Sequence, residues 1–224
     1  MNRLQTLLIL LCLTISAQAA GTFRLGIVRG ETSFWLSEHP FDLQKAKNGT
    51  LTYIFTDIVE KKSELTLQVI PLSDSEGFIL EVSAKRISAD TQLAWGFGAC
   101  AVTDGEDVRQ TTSAPILPAL CADNVFSVEG SAFTVYYGES MKLRVVQGIT
   151  PPASDIRLSD AHRQQSPLDF HRSGKKTDAP ALAATCPLKS GEKLYFCFYK
   201  QNQKADYMYY MLPALFDKAC KRTK

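Results

Sequence analysis

The sequence predicts an all-β fold, a large antiparallel two-sheet β-sandwich followed by one C-terminal linker helix. Three observations predict it. Apolar and polar residues alternate from Leu51 to Val146 and again from Leu194 to Tyr199, the period of two that sends successive side chains to opposite faces of a strand. Turn residues interrupt the alternation at short intervals, as at Asn48-Gly49, Ser73 to Gly77 and Glu129-Gly130. Helical spacing appears only from about Asp206 to Lys221.

The elements follow in order. Phe23 to Val28 reads as a first strand, closed by Gly30, and Ser33 to Leu36 as a shorter one, ended by His39-Pro40. After the Asn48-Gly49 turn, Leu51, Tyr53 and Phe55 share one face while Thr52 and Thr56 share the other. Glu64 to Ile70 directs Leu65, Leu67 and Val69 inward, and Pro71 ends it. Beyond the polar turn at 73–77, Phe78, Leu80, Val82 and Ala84 point inward and Glu81, Ser83 and Lys85 outward, so these two strands form a hairpin with one wet face. Gln92 to Phe97 places Leu93, Trp95 and Phe97 on one side. Ala94, Gly96 and Gly98 on the other side leave room for something to approach closely. Asn124 to Val128 and Ala132 to Tyr137 form a hairpin, and Met141 to Gln147 follows. From about 150 to 192 the periodicity fades, and the segment reads as a long loop. Lys193 to Tyr199 resumes the pattern with Leu194, Phe196 and Phe198 inward. In the last segment Pro213 marks the first turn of the stronger helix. Leu215, Phe216 and Ala219 form its apolar face, and nothing further along the sequence offers to cover it. At least nine strands in series call for two stacked sheets.

The division into regions is 1–20, 21–205 and 206–224: a signal peptide, the β-sandwich with its long loop, and the linker helix with a tail. In the leader, Arg3 precedes the apolar run Leu7 to Ile15, and Ala17, Ala19 and Ala20 supply the small residues of a cleavage site. The run is shorter than the roughly 20 apolar residues a bilayer span needs. The expectation is an exported chain, in the periplasm or at the cell surface, with no membrane segment after the leader is removed.

The formal charge of +2 gives no reason to expect a polyanionic partner such as nucleic acid. Beyond the leader remain Cys100, Cys121, Cys186, Cys197 and Cys220. Disulfides are permitted in an exported chain, and Cys186 with Cys197, or Cys100 with Cys121, are the candidate pairs. Their wide spacing does not fit a zinc site. Cys197, in a strongly apolar strand, also fits a simple buried residue.

The candidate sites are few. Trp35 and Trp95 offer flat rings on which sugars stack, and Glu38 beside Trp35 adds a polar partner. Trp95 alternates with Leu93 and Phe97, which is equally the pattern of core packing. Asp74 and Glu76 are paired carboxylates of the kind glycosidases use, but a solvated hairpin turn needs the same residues. Asp104, Glu106 and Asp107 cluster around Gly105 without the ligand spacing of a calcium loop. His39, His162 and His171 accompany no Gly-x-Ser-x-Gly elbow, and no phosphate-cradling loop or dinucleotide fingerprint occurs. No catalytic residue, metal or cofactor is predicted.

Four phrases carry a resemblance: Glu31 to Leu36 (ETSFWL), Leu67 to Phe78 (LQVIPLSDSEGF), Leu93 to Gly98 (LAWGFG) and Leu212 to Ala219 (LPALFDKA). In this order they resemble the N-terminal β-sandwich of a family of exported Bacteroidetes proteins encoded with polysaccharide-degrading machinery. Those proteins are built like glycosidases in which a β-supersandwich and a helical linker precede an (α/α)6 toroid. The resemblance implies a noncatalytic sandwich module of a carbohydrate-degrading system, truncated or split from its toroid. Its partner would be a glycan or a toroid domain or chain. The catalytic carboxylates of such enzymes lie in the toroid, so the resemblance assigns none here. Two alternatives remain: a glycosidase subunit that needs a partner toroid, and an exported scaffold or adhesion protein with no sugar role. Ala99 to Val102 depart from the family's glycine-rich segment.

Overall fold

The computed structural model describes residues 21–99, 115–138, 143–174, 176–203 and 205–221. The leader, Cys100 and the cluster at Asp104, Glu106 and Asp107 lie outside the described residues. Thirteen strands occur among the described residues: β1 (Gly21–Arg29), β2 (Thr32–Trp35), β3 (Asp42–Lys45), β4 (Leu51–Thr56), β5 (Glu64–Pro71), β6 (Gly77–Lys85), β7 (Thr91–Ala99), β8 (Val125–Glu129), β9 (Ala132–Tyr137), β10 (Arg144–Ile149), β11 (Asp155–Asp160), β12 (Pro180–Pro187) and β13 (Lys193–Lys200). Two α-helices accompany them, α1 (Pro167–Arg172) and α2 (Leu212–Cys220).

The strands form two antiparallel sheets. The larger has eight strands in the order β3-β4-β5-β6-β13-β10-β9-β8, and the smaller five in the order β11-β12-β7-β1-β2. This is the two-sheet sandwich the alternation predicts. The inward residues expected for β5 and β6, Leu65, Leu67, Val69, Phe78, Leu80, Val82 and Ala84, all lie in the core between the sheets. Phe23, Trp95, Phe97, Phe133, Phe196 and Phe198 meet them there in a run of tilted and stacked ring pairs.

Both sheets are also covered on part of their outer faces, and here the structure corrects the sequence reading twice. The segment at 150–192 is not a loop: it supplies β11, α1 and β12. β12 is buried on both faces, with Leu182, Ala184 and Cys186 in the main core and Ala181 and Ala183 beneath α1. Apolar residues on both faces erase the period of two. α1 starts at Ser166, whose side chain accepts from Asp169 N at 3.1 Å, with Pro167 in the first turn. Its Phe170 is fully buried with Trp35, Ile116, Cys121, Ala179, Ala181 and Ala183. The expected close approach at the small-residue side of β7 is present. A Cβ on Gly96 would meet Phe170 at 2.6 Å, and one on Gly98 would meet Ile116 at 2.4 Å.

The second correction concerns α2. Its apolar face does not await cover from elsewhere but lies back on the larger sheet. Leu212 and Phe216 are buried with Ile70, Ile79, Tyr195, Cys197 and Tyr199. Asn48 Nδ2 donates to Cys220 O at 2.6 Å and ties the helix end to the turn before β4. Pro213 sits in the first turn, as expected. Glu81 faces outward beneath this cover and is buried; Tyr195 OH donates to it at 2.7 Å and Lys193 Nζ at 2.9 Å.

Candidate functional site

One end of the larger sheet has a different surface. In the pairing of β8, β9 and β10, Phe126, Val135 and Val146 face the core in a row. The alternation therefore turns the intervening rows outward: Val125, Tyr136 and Val145, then Ser127, Thr134 and Gln147. Val125 is 64% exposed and Tyr136 39%. The result is an aromatic ring flanked across the strands by aliphatic residues, with a row of hydroxyl and amide groups beside it.

An open groove of about 410 Å³ adjoins this face, lined by Leu143, Arg144, Val145, Lys200, Gln201, Asn202 and Gln203. The chain after β13 forms its far wall, held by Gln201 N donating to Val145 O at 3.1 Å. Asn202 Oδ1 accepts from Ala205 N at 3.0 Å, and Lys200 Nζ reaches Glu76 at 3.2 Å. Amide groups and a stackable ring suit a polyhydroxylated ligand: the ring covers the apolar face of a pyranose and the amides exchange hydrogen bonds with its hydroxyls. Among the described residues that line the groove there is no carboxylate, and those residues offer binding groups.

The tryptophans expected to bind sugar are placed differently. Trp35 is 1% exposed. Its Nε1 donates to Gln164 O at 2.8 Å, and the Arg24 guanidinium lies 4.0 Å over its ring. Gln164 also accepts from Arg24 Nη1 and from Ile116 N, each at 3.0 Å, so one side chain links β1 to the covering segment. Burial lowers the Arg24 pKa to about 10, with the charge of Glu38 acting the other way. Glu38 itself is exposed in the single 3₁₀ turn after β2. Trp95, also 1% exposed, sits in the main core between Phe23 and Phe133. Neither tryptophan presents a face to a ligand, because β2 and β7 both lie beneath other layers of the protein. The structure does not bring Trp35, Glu38 and Trp95 together as a binding surface.

The remaining candidates serve the fold. Asp74 accepts a hydrogen bond from Tyr207 OH, and Glu76 pairs with Lys200, so the two carboxylates brace the chain around β13. His39 packs its ring 4.3 Å from that of Phe34, and His162 lies 3.2 Å from Asp178. His171 is buried against Asp155, to whose carbonyl its Nε2 bonds at 3.0 Å. Cys186 and Cys197 are free thiols: Cys186 faces the intersheet core while Cys197 lies on the outer side of the larger sheet beneath α2, so no bridge joins them. Among the described residues no group of three or more His, Cys, Asp or Glu side chains could hold a metal. Tyr136 was missed by the sequence reading. Its signal is that it stands out of phase with Phe133, Val135 and Tyr137, an aromatic at an outward position.

Residues 18–220 match the family described as a domain of unknown function, DUF4450. No curated protein matches the chain. Among solved structures, one described as "Putative kojibiose phosphorylase from human microbiome" superposes with a TM-score of 0.48 at 12% identity. The match covers 88% of this chain and 24% of that one, so this chain spans about a quarter of that protein's length.

Proposed function

Since the chain belongs to the DUF4450 family, whose name assigns no activity, we propose its role from the geometry: an exported, noncatalytic β-sandwich module that binds glycan within a carbohydrate-degrading system. The observation that carries this reading is the outer face of β8 to β10 beyond the cover of α2, where the exposed Tyr136 stands among Ser127, Thr134 and Gln147 and beside the amide-lined groove. Two further features support it. Asp74 and Glu76, the carboxylates closest to a hydrolytic pair in the sequence, are engaged in bonds that hold the fold. The pattern of Arg3, the apolar run and the small residues before Gly21 supports export.

Affinity electrophoresis of the folded protein through gels containing neutral and acidic plant and host polysaccharides tests the reading. Retardation is expected in at least one gel. Tyr136→Ala should weaken it about three- to tenfold, the value of one stacked ring. Thr52→Ala, on the far end of the same sheet, should leave it unchanged. No retardation in any gel, or full retardation of the Tyr136 variant, refutes the assignment.

A further inference from the structure

Four strands form the edges of the two sheets: β2 and β11 of the smaller, β3 and β8 of the larger. An open edge presents unpaired N–H and C=O groups to any other strand, and proteins guard edges by brevity, charge, proline or cover. Three of the four carry such guards. β2 has four residues. β3 also has four and includes Asp42 and Lys45. β11 carries Asp155, Arg157 and Asp160, and the end of α1 lies over it: Ser173 Oγ accepts from Asp160 N at 2.9 Å, and a Cβ on Gly174 would meet Leu158 O at 2.3 Å.

Among the described residues, β8 has none of these guards. Its sequence, Val125-Phe126-Ser127-Val128-Glu129, contains no lysine or proline, its one charge stands at the last position, and no described strand pairs with its outer side. The core is also incomplete there. Val128 pairs with Phe133, whose side chain lies in the core, so Val128 points between the sheets; it is nevertheless 42% exposed. On the smaller sheet Leu158 of β11 pairs with core residue Leu182 and is likewise 42% exposed.

We propose that β8 is a self-association edge, at which a second copy of this chain adds its own β8 antiparallel and joins the two larger sheets into one. The occupant follows from the sequence of the strand. In antiparallel register about Ser127, Phe126 faces Val128 of the second copy, and Val125 faces its Glu129. Both Phe126–Val128 pairs fall on the core side, where they cover the exposed Val128. No charge opposes a like charge, and only Ser127 meets its own equivalent on the two-fold axis. Such an isologous contact needs one self-complementary patch. Two five-residue strands about 17 Å long bury far less than the roughly 800 Å² per partner of a standard interface. The association is therefore weak, micromolar or weaker.

Sedimentation equilibrium of the intact chain, from micromolar to about 1 mM at low salt, tests the proposal. A reversible monomer–dimer equilibrium is expected. Ser127→Glu and Ser127→Lys each place like charges against one another on the axis, at an exposed position that leaves the fold intact, and each should weaken the dimer about fivefold or more. An equimolar mixture of the two variants should restore it, because Glu then meets Lys. A monomer at every concentration overturns the proposal. So does a dimer indifferent to both substitutions, or one that the mixture fails to restore.

Discussion

Phe170 and Gly96 allow the covering of the smaller sheet to be measured as an energy. Phe170 is fully buried, and its Cε1 would lie 2.6 Å from a Cβ placed on Gly96. Phe170→Ala removes a large buried side chain, at a cost of about 3–5 kcal/mol. Gly96→Ala inserts a methyl where the ring already sits, and overpacking of that kind costs about 1–3 kcal/mol. In the double variant the ring is gone. The nearest side chain left near the new methyl is Ile116, whose Cδ1 lies at an ordinary 3.6 Å. The alanine at 96 should then cost nothing or stabilise, so the double variant should be about 1–3 kcal/mol more stable than the two single effects added together. Urea unfolding followed by fluorescence of the two buried tryptophans measures all four proteins, and Phe170→Leu keeps the series within range should the alanine variant unfold. Effects that add to within about 0.5 kcal/mol would falsify the claim that the ring occupies the space the glycine leaves open.

Three other outcomes are expected. Burial holds the His171 imidazole pKa below its usual value, although its bond to the Asp155 carbonyl acts the other way. The unfolded chain therefore binds this proton first, and the stability due to neutral His171 is complete above the ordinary histidine pKa of about 6.5 and is lost as the pH falls below it. Urea midpoints measured between about pH 7.5 and 5 should fall less steeply in His171→Gln than in the wild type, and equal slopes count against this assignment. At the buried Glu81 carboxylate, Tyr195→Phe should cost about 1–2 kcal/mol and Lys193→Ala less than about 1, because Tyr195 is buried whereas the lysine is half exposed; thermal melts that reverse this order contradict the account. Burial pushes the Cys186 thiol up to about 12 and raises Cys197 as well. Mass mapping after treatment with a thiol reagent at pH 8 should find both unlabelled in the native protein and labelled in urea, and native labelling would show that these layers open.

Much of the sandwich was legible because the burial of β4, β5 and β9 largely follows one face of each strand, and the core needs only that alternation. The close approach over β7 was legible too, since Ala94, Gly96 and Gly98 recur at every second position. What the sequence hid has a physical pattern. β12 is buried on both faces and lost its alternation; β11 is a polar edge; α1 is too short to show helical periodicity. The reading of Trp35 as a sugar platform failed because its polar neighbours suggested a surface, whereas Gln164 and Arg24 satisfy and cover the indole from distant parts of the chain. Tyr136 drew no notice because a single outward aromatic in a short strand also reads as an ordinary surface residue.

The strand order also determines when the two sheets can close. β12 pairs with β7, and β13 lies between β6 and β10. The last two described strands in chain order are therefore inner members, one in each sheet. Until residues 180–200 have emerged, β6 and β7 each keep an apolar flank without its neighbour, and the contacts that complete them span more than eighty positions of chain. Such long-range pairing is slow and leaves nascent chains prone to stick. The hazard during synthesis should be greatest before residues 180–200 emerge, because a chain stalled short of them lacks the strands that complete both layers.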